Sequence, residues 1–145
     1  MSDLGGWILL LGRLLIGGYF AGVSGMFHLR KGQMAVGYAR QMAFPLPALA
    51  AWPSAIWLLA AGLSILLGVW PDIGSLMIGV FVIPAAWWFH RFWVIEDENQ
   101  RQFATLLFGR NVVFLGTSLM FFAFFAAFCD DLPLMVTGPL FDLSD

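Results

Sequence analysis

Few side chains in this 145-residue chain could do chemistry, and most of those sit in apolar surroundings. His90 lies inside the run WWFHRFW, His28 follows SGMF, and Arg110 and Asn111 interrupt a stretch rich in leucine and phenylalanine. An imidazole both donates and accepts hydrogen bonds, a carboxamide does the same, and a guanidinium only donates. Gathered at lipid depth, His90, Arg110 and Asn111 would offer hydrogen bonds to a quinone carbonyl or an anion. Trp87 and Trp88 would wall such a pocket, and His28 could join it. Two histidines on neighbouring helices could instead ligate a b-type haem. A metal site is poorly provided for, because no carboxylate or cysteine falls at matching depth. Hydrolytic chemistry has no support either, since HExxH and GxSxG are both missing. The acidic residues 96–99 read as a solvated loop and lack a calcium-loop pattern.

Each of these residues also has a plainer reading. Tryptophan gathers at the membrane–water interface, so WWFHRFW reads most simply as an aromatic belt whose Arg91 snorkels to headgroups. His28 and His90 would then be interfacial histidines at helix ends. Arg110 could snorkel too, since it lies about one to two turns from the end of its span. A charge at mid-membrane costs about 2.5–3.5 kcal/mol, so such residues usually face the interior or line a site. That makes Arg110 with Asn111 the stronger site candidate. Asn111 and Ser118 share a helix face, as do Arg110 and Thr117. Arg13 is a counterpart in the outer leaflet, within snorkelling reach of the outside, with Asp72 as a possible partner.

The elements that must position these residues follow from composition. The chain is 61% hydrophobic and only 11% charged, against about 25% charged in an average soluble domain. A small domain buries only part of its surface, so lipid is the economical solvent. Four apolar stretches, residues 5–27, 49–70, 73–93 and 103–129, are each long enough to cross a hydrocarbon core as helices. Their continuous apolar character excludes barrel strands, which alternate. Trp70-Pro71-Asp72 reads as a tight turn. The longer connection holds Pro45 and Pro47, which favour extended backbone, and residues 33–42 read as a short amphipathic helix at the interface. Pro84 should kink the third span. Gly17, Ala21 and Gly25 form one row of small residues and Ala60, Ser64 and Gly68 another, as close helix packing needs. The tail, residues 130–145, is acidic and broken by Pro133 and Pro139.

Charge sets the expected orientation. Arg30, Lys31 and Arg40 lie in the first connection, and Arg91 and Arg101 flank the third. The N-terminus, the second turn and the tail carry no Lys or Arg. With four spans, the positive-inside rule puts both basic connections in the cytoplasm and both termini outside. Asp3, Asp72, Asp130 and Asp131 then fall on the outer side. The single cysteine, Cys129, excludes an intramolecular disulfide and a CxxC motif or iron–sulfur cluster built from this chain alone. The start of the chain lacks a signal-peptide pattern, with Asp3 in place of a basic region and Arg13 inside the apolar run. No basic patch suggests nucleic acid as a partner.

The segments LGRLLIGGYFAGVSGMFHL, AAGLSILLG, FHRFW and FGRNVVFLG, in this order, resemble the DoxX family of small four-helix membrane proteins. The likeness covers residues 4–120. Each motif is weak alone, and their order and spacing are what make the resemblance specific. Ser64 stands where the family often has a glutamate, His28 where it has a lysine, and Arg110 replaces a lysine before Asn111. Without the glutamate the chain lacks the acid that a proton-coupled role would use. The family takes its name from a subunit of a thiosulfate:quinone oxidoreductase, and some relatives belong to redox or oxidative-stress assemblies. The resemblance implies an all-α membrane protein, an antiparallel bundle of four transmembrane helices forming one domain over residues 1–145.

For function two classes follow. One is an accessory, non-catalytic subunit of a quinone-linked redox complex in a bacterial inner membrane, bound to another membrane protein through helix faces at lipid depth. The other is a scaffold whose aromatic faces and acidic tail bind a polypeptide. A small transporter, a self-assembling membrane protein and a b-haem carrier are the weaker readings. Phe121, Phe122, Phe124, Phe125 and Phe128 spread around more than one side of the last span, which suits either a partner or lipid.

Overall fold

The computed structural model describes residues 3–128 and 132–143. Cys129, Asp130 and Asp131, and the side chain of Asp3, lie outside the described residues, and so do the expectations that rest on them. The architecture is all-helical. The β pairing among the described residues is one isolated parallel bridge, Val69 to Gly138.

Helix α1 (Asp3–Gly18) runs into a π-helical segment, Tyr19–Gly25, and on into α2 (Met26–Arg30). Helix α3 (Gly32–Gln41) is the short helix expected over residues 33–42, and it buries Ala35, Val36 and Ala39. A 3-10 turn, Pro47–Ala50, leads into α4 (Trp52–Leu67), whose first turn holds Pro53. Proline suits this position because the first turn's N–H groups have no helical partner. Helix α5 (Pro71–Pro84) begins on Pro71 and passes at Pro84 into a second π-helical segment, Ala85–Phe89. Helix α6 (Glu98–Ala127) follows a 3-10 turn, Phe92–Val94. Its N-cap is Asp97, whose carboxylate accepts the Gln100 N–H at 2.8 Å. Glu98 pairs with Arg101 on the exposed first turn. The acidic residues 96–99 therefore start a helix, where negative charge is favoured.

Three helical stretches, Leu4–Arg30, Pro71–Val94 and Glu98–Ala127, are long and apolar enough to cross a membrane. The fourth expected span is shorter than its sequence pattern implied. α4 has 16 residues, about 24 Å at 1.5 Å per residue against a core of about 30 Å. Leu49 and Ala50 are spent on the 3-10 turn, Ala51 caps α4, and Gly68 ends the helix in the left-handed region at φ 69°. The outer faces are largely apolar; Leu106 and Met120 of α6 are 72% and 73% exposed. Large apolar surfaces of this extent are what lipid, not water, solvates. The chain is a multi-pass membrane protein.

The core joins the first π-helical segment, α4 and α5 through Phe20, Leu58, Ala61, Ile65, Ile78 and Val82. α4 packs against α1 on one side and α5 on the other, and α6 packs on α5. The first small-residue row behaves as expected. An added Cβ on Gly17 would lie 2.6 Å from the Gly62 carbonyl oxygen, and one on Gly25 would lie 3.0 Å from Leu59. The second row is corrected. Ala60 is exposed, and the residue of α4 that meets Gly17 and Ala21 is Gly62. Ser64 and Gly68 face elsewhere: Gly74 backs onto Ser64, and Gly68 lies under Arg13 and Met135.

The described part of the tail is not free. Thr137 N–H bonds to the Gly68 carbonyl at 3.1 Å, Trp70 N–H to that of Gly138 at 3.0 Å, and Leu143 N–H to that of Ala126 at 2.8 Å. Arg13 is only 1% exposed, so it does not snorkel. Its guanidinium donates to the carbonyls of Ile65 (2.9 Å), Leu66 (3.0 Å) and Leu134 (2.8 Å), tying α1 to the end of α4 and to the tail. Asp72 is not its partner. That carboxylate, fully buried, accepts the N–H groups of Leu140 and Phe141 at 2.7–3.0 Å. Of the five phenylalanines near the end of α6, Phe125 is buried, Phe128 is 52% exposed and Phe122 packs on Phe141 of the tail.

Candidate functional site

A cavity of about 670 Å³ opens between the first π-helical segment, α2, α3, the start of α4, the end of α5 and α6. His28, His90, Arg110 and Asn111 all line it. The fold thus brings together four of the six residues singled out above, from three separate segments of the chain. Pockets for small ligands are commonly of this volume, mostly apolar, with a few convergent polar groups.

The two tryptophans are elsewhere. Trp87 is 59% exposed and packs on Trp93, with ring centroids 5.5 Å apart. Trp88 packs on Phe44, also at 5.5 Å. The cavity's aromatic walls include Tyr19, Phe20, Phe81, Phe89, Phe114 and, at the start of α4, Trp57. Phe114 of α6 bridges the gap, with its ring 5.2 Å from Phe20 and 5.6 Å from Tyr19. Ser24, next to last in the first π-helical segment, is a further polar lining residue.

The two π-helical segments explain how the histidines arrive. A π turn takes in an extra residue, and one residue is worth about 100° of rotation around a helix. His28 follows the segment Tyr19–Gly25 and His90 follows Ala85–Phe89. Both are therefore turned off the face that an unbroken α-helix would have given them. Sequence signals for this exist in Gly18, Gly22 and Gly25, and in Pro84, which lacks the N–H that would continue the α pattern. Periodicity alone does not show which way the widened turn rotates the chain.

The polar groups are differently held. His28 Nδ1 lies 2.6 Å from the Ala50 carbonyl oxygen, and its ring meets Phe81 edge-on at 5.8 Å. Asn111 is 6% exposed and donates one amide proton to the Leu107 carbonyl at 3.1 Å, an ordinary bond back to the preceding turn. Arg110 lies on the exposed side of α6 yet reaches the cavity lining. Thr117, which shares its face, bonds back to Val113 at 2.9 Å. Ser118, on the face of Asn111, is buried.

The strand of chain around His90 is pinned from α3. Tyr38 Oη donates to the Phe89 carbonyl at 3.2 Å, and Arg91 Nη2 to the Met42 carbonyl at 2.9 Å. Arg91 turns inward, and its Nε is buried without a hydrogen-bond partner among the described residues. The expectation of an arginine snorkelling to headgroups is therefore corrected for Arg91: the widened turn before it swings the side chain back onto the α3 connection.

The DoxX family model matches residues 8–91, more than half of the chain. Neither the curated proteins nor the solved structures searched contain a significant match. The matched range includes His28 and His90 but stops before Arg110 and Asn111.

Proposed function

The chain belongs to the DoxX family, and we propose that it is an accessory subunit of a quinone-linked redox complex whose cavity receives a quinone ring. The observation that carries this reading is the convergence of His28, His90, Arg110 and Asn111 on one aromatic-walled cavity of about 670 Å³. A quinone ring is flat and apolar with two polar ends. Aromatic walls suit its faces, and a guanidinium and a carboxamide suit a carbonyl oxygen. A quinone supplies two-electron redox chemistry when bound. The chain's own residues bind and orient it, and the redox partner is another membrane protein held against the lipid-facing helices.

The test is equilibrium binding of a short-tailed benzoquinone to the chain in nanodiscs. Saturable binding is expected in the wild type. Arg110→Gln should weaken it about tenfold, the effect of losing one charge-assisted hydrogen bond. Trp87→Phe should leave it unchanged. Absence of saturable binding to the wild type would remove the pocket reading.

The same proposal includes topology. α4 completes a four-span antiparallel bundle in a bacterial inner membrane, with Arg30, Lys31, Arg40 and Arg101, all exposed, on the cytoplasmic side. A reporter active only outside the cytoplasm, fused to the C-terminus, should then be active. The same reporter inserted between Arg40 and Pro45 should be silent, and the reverse pattern would overturn the orientation.

A further inference from the structure

The ring nitrogens of His28 are not equivalent, and their difference bears on which redox form of a ligand fits. Nδ1 sits 2.6 Å from the Ala50 carbonyl oxygen. A carbonyl only accepts, so Nδ1 carries the proton in that contact. In the neutral ring Nε2 is then a bare lone pair, an acceptor with no donor of its own. No hydrogen bond within the described protein occupies it, and His28 lines the cavity. Around the same cavity Arg110 is a donor, and among the described residues Asn111 makes one side-chain hydrogen bond, from its amide to the Leu107 carbonyl, which leaves a second amide proton and its carbonyl oxygen for a ligand.

We infer that the cavity selects a ring bearing a hydroxyl, the hydroquinone form, over the quinone, and that His28 Nε2 is the group that discriminates. This rests on the quinone-linked reading of the same cavity. A quinone offers only acceptor oxygens. Placed against His28 it sets a carbonyl beside a lone pair and leaves both unpaired. A hydroquinone donates its O–H to Nε2, while its second oxygen accepts from Arg110. Sites built to hydrogen-bond a hydroxyl reject analogues lacking it far more strongly than apolar pockets reject shape changes. The anchoring carbonyl belongs to Ala50, itself buried in the small cluster with Ala35 and Ala39. The tautomer is therefore set by a packed backbone segment and not by a mobile side chain.

The experiment compares three ligands of equal tail length in nanodiscs, without oxygen, at pH 8, where ordinary imidazoles are neutral. They are a decyl benzoquinone, its hydroquinone and the dimethyl ether of that hydroquinone. The hydroquinone should bind at least about tenfold more tightly than the quinone, and the ether should bind no better than the quinone. His28→Asn keeps a donor near the Nδ1 position for Ala50 and removes the acceptor at Nε2. It should abolish the preference by lowering hydroquinone affinity about tenfold. The wild-type comparison stands even if that variant folds poorly. Equal affinities, or a tighter quinone, would overturn the selectivity and leave the quinone-pocket reading standing. A preference that survives in folded His28→Asn would overturn the role of His28. Binding of none of the three would overturn both.

Discussion

Arg13→Met should cost about 3 kcal/mol of stability, because it removes three hydrogen bonds from a charged donor at about 1 kcal/mol each in a membrane setting. The guanidinium ties α1, the end of α4 and the tail together through the carbonyls of Ile65, Leu66 and Leu134. Two of those carbonyls lie in the last turn of α4, where the helix has no N–H to offer them and where positive charge is favoured. Methionine fills much of the volume but leaves the carbonyls bare. Arg13→Lys should fall between the two, since one ammonium cannot reproduce the planar fork. The readouts are denaturant unfolding in detergent and protease cleavage within residues 132–143. Faster cleavage in the methionine variant is expected, because Leu134 loses its tie. Unchanged stability together with unchanged cleavage would show that Arg13 does not hold the tail.

Gly62→Val should prevent accumulation of folded protein, and Gly62→Ala should cost about 1–3 kcal/mol. A Cβ at Gly62 would lie 2.5 Å from the Ala21 nitrogen, 2.6 Å from the Gly17 carbonyl oxygen and 2.8 Å from the Ala21 Cβ. Two of these atoms are backbone, so no rotamer change relieves the clash. α1 and α4 would have to separate, and in lipid close packing is itself the main force holding helices together. Gly12→Ala is the control. Nothing lies within 4 Å of a Cβ there, and the substitution should be neutral or stabilise by up to about 1 kcal/mol. Both variants are scored by thermal unfolding in the same detergent. Equal effects at positions 12 and 62 would mean that the two helices are not in this close contact.

The sequence was most informative where solvent decides. Long continuous apolar runs pointed to helices in lipid, and α3 was readable from its mixed polarity. The match to the DoxX family, residues 8–91, lies over the first three of these runs. Small-residue rows were half readable. Gly17, Ala21 and Gly25 recur every four residues and pack as they should. On α4 an equally regular row, Ala60, Ser64 and Gly68, was available, but the helix turns Gly62 inward instead.

By itself, then, the amino-acid sequence determined the all-helical membrane class and a short set of polar side chains as site candidates. Tertiary structure decided which of them meet. His28, His90, Arg110 and Asn111 share a cavity, and each histidine follows a π-helical segment that one local period does not encode. Trp87 and Trp88 fall outside it. Arg13 and Asp72 looked like an ion pair from proximity to one turn, yet each is satisfied by backbone. Their partners, Leu134 and Leu140–Phe141, come from a tail more than 60 residues further along the chain. Backbone groups are the same in every residue, so nothing in residue type announces which of them a buried charge will find.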